Sequence, residues 1–137
     1  MNKLLVLIIF PFLLSGCVTS KMKLHGTWHF DNDRTLEELS KDPNVSKELL
    51  GCYKSGVCAK LGVLTFNANN TFTVGGNSNP REYEIIRTSK NKVEISAYVP
   101  GKNKSENIKF HFIDKSLVYI VTELQYGTFK EYLAKTH

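Results

Sequence analysis

From residue 61 onward the chain alternates short apolar segments with turn-forming residues, and no other feature constrains its fold as strongly. Seven of these segments are predicted to be strands: in the first five, polar and apolar side chains alternate, as is typical of half-buried strands, and the last two are apolar on both faces. They are Leu61–Asn67, Thr71–Gly75, Glu82–Thr88, Lys92–Val99, Asn107–Ile113, Leu117–Glu123 and Thr128–Lys135. Asparagine, glycine, proline and serine residues separate them. With an eighth strand over Leu24–Phe30, the pattern predicts a mainly β fold, a small up-and-down antiparallel β-barrel of about eight strands.

One or two short helices are predicted between the first and second strands. Thr35 and Glu38 form a capping-box pattern that opens a helix over 36–41. Asp42-Pro43 offers a second cap with proline at the first helical position, for a helix that stops at Gly51.

The first 17 residues place a positive charge, a short apolar run and a cysteine in order. Lys3 comes first, residues 4–14 are too short for a membrane span, and the small residues Ser15 and Gly16 precede Cys17. This order resembles a bacterial lipoprotein signal peptide with its lipobox. The resemblance implies that the chain is cut before Cys17, and that the cysteine carries a diacylglycerol and an acylated amino group. The alternative is an ordinary signal or core segment that happens to contain a cysteine.

That reading divides the chain into a signal peptide over 1–16, a lipidated tether over 17–22 and one barrel domain over 23–137. In lipoproteins of this type an aspartate directly after the cysteine retains the protein at the inner membrane. Val18 stands there instead, which implies delivery of the protein to the outer membrane if the host is Gram-negative.

The net charge is +5, and the lysines are scattered in turns. We therefore expect a monomer that contacts anionic lipid or an acidic protein face rather than nucleic acid.

Two further cysteines, Cys52 and Cys58, flank a short loop. In an oxidising compartment such a pair favours a disulfide, which would stabilise the fold by about 2 kcal/mol. A metal pair and a catalytic thiol are the alternatives, but no further ligands are apparent nearby in the sequence.

Several short motifs in the barrel domain point to one family. They are Gly26-Thr27-Trp28, the helical insertion from Thr35-Leu36, Leu64-Thr65-Phe66, Thr71-Phe72-Thr73 and Glu131-Tyr132-Leu133. Over most of residues 23–135 they resemble bacterial lipocalin-like (calycin) lipoprotein domains. The resemblance implies that Gly26 and Trp28 pack across the closed end of the barrel. The paired helices, the cystine loop and the lack of a second lipocalin motif depart from the family, so ligand binding in the lipocalin manner does not follow.

The sequence offers little support for a metal site or a catalytic site among its polar residues. His25 and His29 lie on one strand face about 13 Å apart, too far to share a zinc ion with each other and with His111. Asp31-Asn32-Asp33 begins like a calcium loop but lacks its glycine and closing glutamate. We interpret a further group as part of a solvated face: Glu82, Glu84 and Glu94. No catalytic motif occurs, so we expect neither an enzyme nor a metal or other cofactor.

Six further aromatic side chains are predicted to face inward together with Trp28. They are Phe30, Phe66, Phe72, Tyr83, Phe110 and Phe112. They can line a pocket for a small apolar ligand or fill the core, and the short strands favour a filled core.

The sequence therefore favours a non-enzymatic envelope lipoprotein that binds a small apolar ligand or an envelope protein. The alternative is an inhibitor, immunity or exclusion lipoprotein that blocks a hydrolase, toxin or phage protein with its cystine loop at Tyr53 and Lys54.

Counting strands places the short turns and the tether at one end of the barrel, which we expect to face the membrane. The lysines expected there are Lys21, Lys23, Lys90, Lys92 and Lys115.

Overall fold

A computed structural model describes residues 23–60, 62–75, 79–99 and 102–137. Cys17, the signal peptide and the tether lie outside these residues. Eight antiparallel strands follow one another around a closed barrel, and the last pairs with the first. The strands are β1 Gly26–Phe30, β2 Val63–Phe66, β3 Thr71–Val74, β4 Arg81–Ser89, β5 Lys92–Val99, β6 Lys104–Phe112, β7 Leu117–Leu124 and β8 Gly127–Lys135. Helices α1 (Asn32–Lys41) and α2 (Lys47–Lys54) connect β1 to β2, so the predicted fold class is confirmed.

The barrel core is formed by alternate residues of the strands together with Leu24, which precedes β1. It contains Leu24, Trp28, Phe66, Phe72, Tyr83, Val93, Ile95, Ala97, Phe110, Val118 and Leu133. Burial of these side chains supplies the main driving force for folding. A β-bulge between Ile85 and Arg87 shifts the pairing of β4 with β5 and leaves Ile86 exposed.

Helix α1 begins earlier than the sequence predicts. Its N-cap is Asp31, whose side chain accepts a hydrogen bond from Arg34 N, and the helix starts at Asn32. Thr35, the predicted cap, lies buried in the first turn instead. Its hydroxyl donates to the carbonyl of Asp31 at 2.9 Å and accepts from Tyr132 N at 3.1 Å. The threonine therefore joins α1 to β8, a role that the capping pattern does not reveal.

Helix α2 begins later than predicted and does not end at Gly51. Its N-cap is Ser46, whose hydroxyl accepts from Leu49 N at 3.1 Å and donates to the carbonyl of Tyr126 at 3.0 Å. Asp42, the predicted cap, is the C-cap of α1. Because Ser46 also bonds to the turn between β7 and β8, this tertiary contact favours a helix that begins after Ser46 over one that begins at Asp42-Pro43.

The alternating strand directions give the barrel two different ends. The short-turn end contains the turns after β2, β4 and β6, the start of β1 and the end of β8. The helical end contains the remaining connections, and there α1 and α2 pack on β8 through Leu39, Leu49, Tyr53 and Phe129. None of the helices in the described residues has the length and apolar character needed to cross a membrane.

Candidate functional site

Aromatic side chains pack together in the barrel core. Phe66 lies at the centre of this cluster, with its ring 5.5 Å from those of Tyr83 and Phe110 and 5.7 Å from that of Phe72. The half-buried rings of Phe30 and Phe112 pack against this cluster. A small apolar ligand would have to displace these side chains to enter the barrel.

Trp28 packs in the core near the short-turn end. The residue is only 1% exposed, and its Nε1 donates to the carbonyl of Leu24 at 2.8 Å. Lys135 Nζ lies 5.3 Å from the centre of the indole, a cation–π distance. Gly26 has a φ of +120°, and a Cβ there would lie 2.6 Å from Lys135 Cε. Glycine at this position therefore allows the lysine to cover the tryptophan.

A buried carboxylate lies near the helical end and was not anticipated from the sequence. Glu131 is 1% exposed and lies on the β8 face shared by Phe129 and Leu133. Its Oε1 is 2.9 Å from Nζ of Lys60, whose side chain is 44% exposed. Burial, and then the Glu131 carboxylate, raise the pKa of the Tyr53 hydroxyl well above its ordinary value. The ion pair with Lys60 thus joins Glu131 on the barrel wall to the helical connection.

Replacing Lys60 with methionine should lower the free energy of unfolding by about 1–2 kcal/mol, because Glu131 would lose its cationic partner. Half exposure of the lysine keeps the effect below that of a fully buried pair. Urea denaturation should show almost no loss for Lys60→Met in a Glu131→Gln background. Lys54→Met is the matched control. Equal losses with and without the carboxylate would show that the ion pair is not the cause.

The cystine loop forms as predicted. Cys52 and Cys58 are joined by a disulfide, with 5.3 Å between their Cα atoms. Tyr53 was predicted to contact another protein from this loop, but it is 5% exposed and packs against Phe129 instead. Lys54, Ser55 and Val57, the last 80% exposed, present their side chains to solvent on this loop.

Changing Cys52 and Cys58 together to serine should lower the free energy of unfolding by about 2 kcal/mol, since the unfolded chain regains the entropy of a short open loop. Chemical denaturation of the variant checks this. Reduction of the wild-type protein should reproduce the loss, and reduction of the double variant should add nothing. An unchanged denaturation midpoint would contradict a stabilising role for the disulfide.

A groove of about 560 Å³ lies at the helical end, between the α1–α2 connection and the β7–β8 hairpin. Leu39, Val45, Leu49 and Phe129 give it an apolar wall. Its other lining residues are Glu38, Asp42, Asn44, Ser46, Val121, Tyr126, Gly127, Thr128, Lys130 and Tyr132. We call this surface the helical-end groove.

A second cleft of about 560 Å³ lies at the short-turn end. Its lining residues are Lys23, Lys90, Asn91, Phe112, Ile113, Asp114, Lys115 and Lys135. We call it the lysine cleft. The strand count predicted that Lys23, Lys90 and Lys115 share this end, and the structure brings all three to one cleft.

The polar residues considered as metal ligands do not come together. Within the parts of the chain that the structure covers, no group of three histidine, cysteine, aspartate or glutamate residues could hold a metal ion. His111 stacks on Tyr119 with 4.6 Å between ring centres. Burial, and then the charges of nearby lysines, lower the pKa of His111. Asp31 caps α1 rather than beginning a calcium loop.

Glu94 differs from the solvated position predicted for it. The residue is buried, lies opposite Arg87 on β4 and Lys109 on β6, and accepts from Asn107 Nδ2 at 3.4 Å. Long side chains on the neighbouring strands explain how an outward-facing residue loses its exposure.

Comparison with known proteins finds no matching family model, no matching curated protein and no matching solved structure.

Proposed function

We propose that this chain is a non-enzymatic, lipid-anchored envelope protein that binds another envelope protein through its helical-end groove. The lipobox pattern supports the anchor at Cys17. The observation that carries the choice of partner is the position of an apolar groove at the opposite end from the chain's entry into the barrel.

A protein partner fits the geometry better than a small ligand inside the barrel. The lumen is occupied by packed aromatic rings, whereas the β7–β8 hairpin exposes Val121, Leu124 and Tyr126 beside the groove. Exposed apolar side chains grouped in this way are typical of interaction surfaces. Glu38 and Asp42 on one side and Lys130 on the other supply a polar rim that can fix the orientation of a partner.

Site-specific photocrosslinking in cells tests this function. A photoreactive phenylalanine analogue placed at Tyr126 or Val121 of the full chain should give one discrete crosslinked species, identified by mass spectrometry as an envelope protein. The same analogue at Ile86, an exposed position on the side of the barrel, is the matched control. Val121→Glu should abolish the crosslink at Tyr126. No discrete species, or the same species from Ile86, would overturn the proposal.

The cystine loop favours a second candidate function, inhibition of an incoming hydrolase, toxin or phage protein. The disulfide holds an exposed apolar residue, Val57, and an exposed lysine, Lys54, on a loop of fixed shape. Little entropy would be lost when such a loop enters a cleft. Val57→Asp with Lys54→Glu should abolish capture of a lysozyme or similar hydrolase and leave the Tyr126 crosslink unchanged. Capture that survives both changes would exclude this loop as the inhibitory element.

A further inference from the structure

The lysine cleft combines an apolar floor with a cationic rim. Phe112 and Trp28 pack at nearly right angles, with 6.1 Å between ring centres, and Ile113 beside Phe112 is 50% exposed. The turns after β4 and β6 form the walls, and Phe112 N donates to the carbonyl of Asn91 at 2.8 Å to hold them together. The cleft can therefore contact an apolar group below and an anion above.

The charge of this cleft is not neutralised by the protein. Four lysines and one aspartate line it, which leaves a net charge of +3. None of these lysines forms an ion pair within the described ranges. The Asp114 side chain stabilises the turn after β6, where its Oδ1 accepts a hydrogen bond from Ser116 N at 2.7 Å, and it pairs with none of the four lysines. The ammonium groups are available for an anionic ligand.

Contacts within the protein hold two of the lysines in place. Lys23 Nζ donates to the carbonyls of Lys90 at 2.8 Å and Ser89 at 3.4 Å, which leaves one N–H donor of that ammonium for a ligand oxygen. Lys135 lies over Trp28, the position for which Gly26 leaves space. Two cations are thus held at the rim by contacts within the protein.

The position of the cleft along the chain indicates its occupant. It includes Lys23, which is six residues after Cys17 in the sequence, a reach of at most about 20 Å. A lipid on Cys17 would keep the cleft within that distance of the membrane. Anionic phospholipids present a phosphate above an apolar region, which matches the rim and the floor of the cleft.

We propose that the lysine cleft binds the phosphate headgroup of an anionic membrane lipid and thereby holds the short-turn end of the barrel against the membrane. This inference rests on the proposed lipid anchor. It adds a specific contact to that anchor, and it leaves the helical-end groove pointing away from the bilayer.

Lysine acetylation read by mass spectrometry tests the contact. The full lipidated protein is reconstituted in phosphatidylcholine vesicles with or without phosphatidylglycerol. Acetylation of Lys90, Lys115 and Lys135 should become about fivefold slower when phosphatidylglycerol is present. Lys47 and Lys54 on α2 are the internal controls and should not change. Equal rates in both vesicles for all five lysines would overturn the proposal.

Two further arms separate the specific contact from its alternatives. Lys90→Gln with Lys115→Gln should remove the protection of Lys135, whereas Lys47→Gln with Lys54→Gln, which removes the same charge, should preserve it. Inorganic phosphate added to phosphatidylcholine vesicles should not protect the cleft, and protection by phosphate alone would overturn a lipid site. The intact mass of the same sample reports on Cys17, so a missing anchor is distinguished from a missing lipid contact.

Discussion

Replacing Trp28 with alanine is expected to lower the free energy of unfolding by about 3–5 kcal/mol, the largest loss we expect from any single change in the barrel. The substitution leaves a cavity beside Phe112, breaks the hydrogen bond to the carbonyl of Leu24 and removes the ring that Lys135 covers. Urea denaturation followed by circular dichroism measures the loss. Circular dichroism is used because Trp28 is the single tryptophan of the chain, so the variant has no tryptophan fluorescence to follow.

Two controls define this result. Trp28→Phe should lose clearly less, since it keeps an aromatic ring in the core. Ile86→Ala, at an exposed position on the bulge of β4, should stay within about 0.5 kcal/mol of the wild type. A loss below about 1 kcal/mol for Trp28→Ala would contradict the placement of this side chain in a close-packed core.

Replacing Cys17 with serine is expected to abolish lipid attachment and to remove the protein from the outer membrane. The lipobox pattern requires the cysteine sulfur for the lipid, and serine cannot supply it. Incorporation of labelled palmitate and fractionation of the cell envelope measure the two effects. The variant should incorporate no label and should be absent from the outer-membrane fraction.

The paired variant Cys52→Ser with Cys58→Ser is the matched control, because these cysteines form the disulfide of the loop. It should incorporate palmitate as the wild type does. Label in the Cys17→Ser variant, or wild-type protein in the inner-membrane fraction, would refute the predicted attachment or the predicted destination.

The strands could be predicted from the sequence because their signals are local. Period-two alternation marks six of the strands and turn residues separate the last two, and the predicted bounds Lys92–Val99 are those of β5. The helix starts could not be placed in the same way. Thr35 and Ser46 bond to Tyr132 and Tyr126, which lie far along the chain, and such contacts are not visible in a local pattern.

The site residues differ in how far local sequence could reveal them. Glu131 was missed because β7 and β8 are apolar on both faces, although the i, i+2 spacing of Phe129 and Leu133 places it on the inner face. Tyr53 was expected in an exposed loop, but α2 extends past Gly51 and turns it toward the barrel. Lys135 joins the lysine cleft only through the pairing of β8 with β1, which closes the barrel.

The intact mass of the protein, extracted in detergent from its native envelope, shows whether Cys17 carries the proposed lipid that holds this barrel at a membrane. We expect the mass of residues 17–137 with one disulfide, a diacylglycerol on the cysteine sulfur and an acyl chain on the new amino group. The mass of residues 1–137 without modification, or of residues 17–137 without lipid, would rule out the anchor.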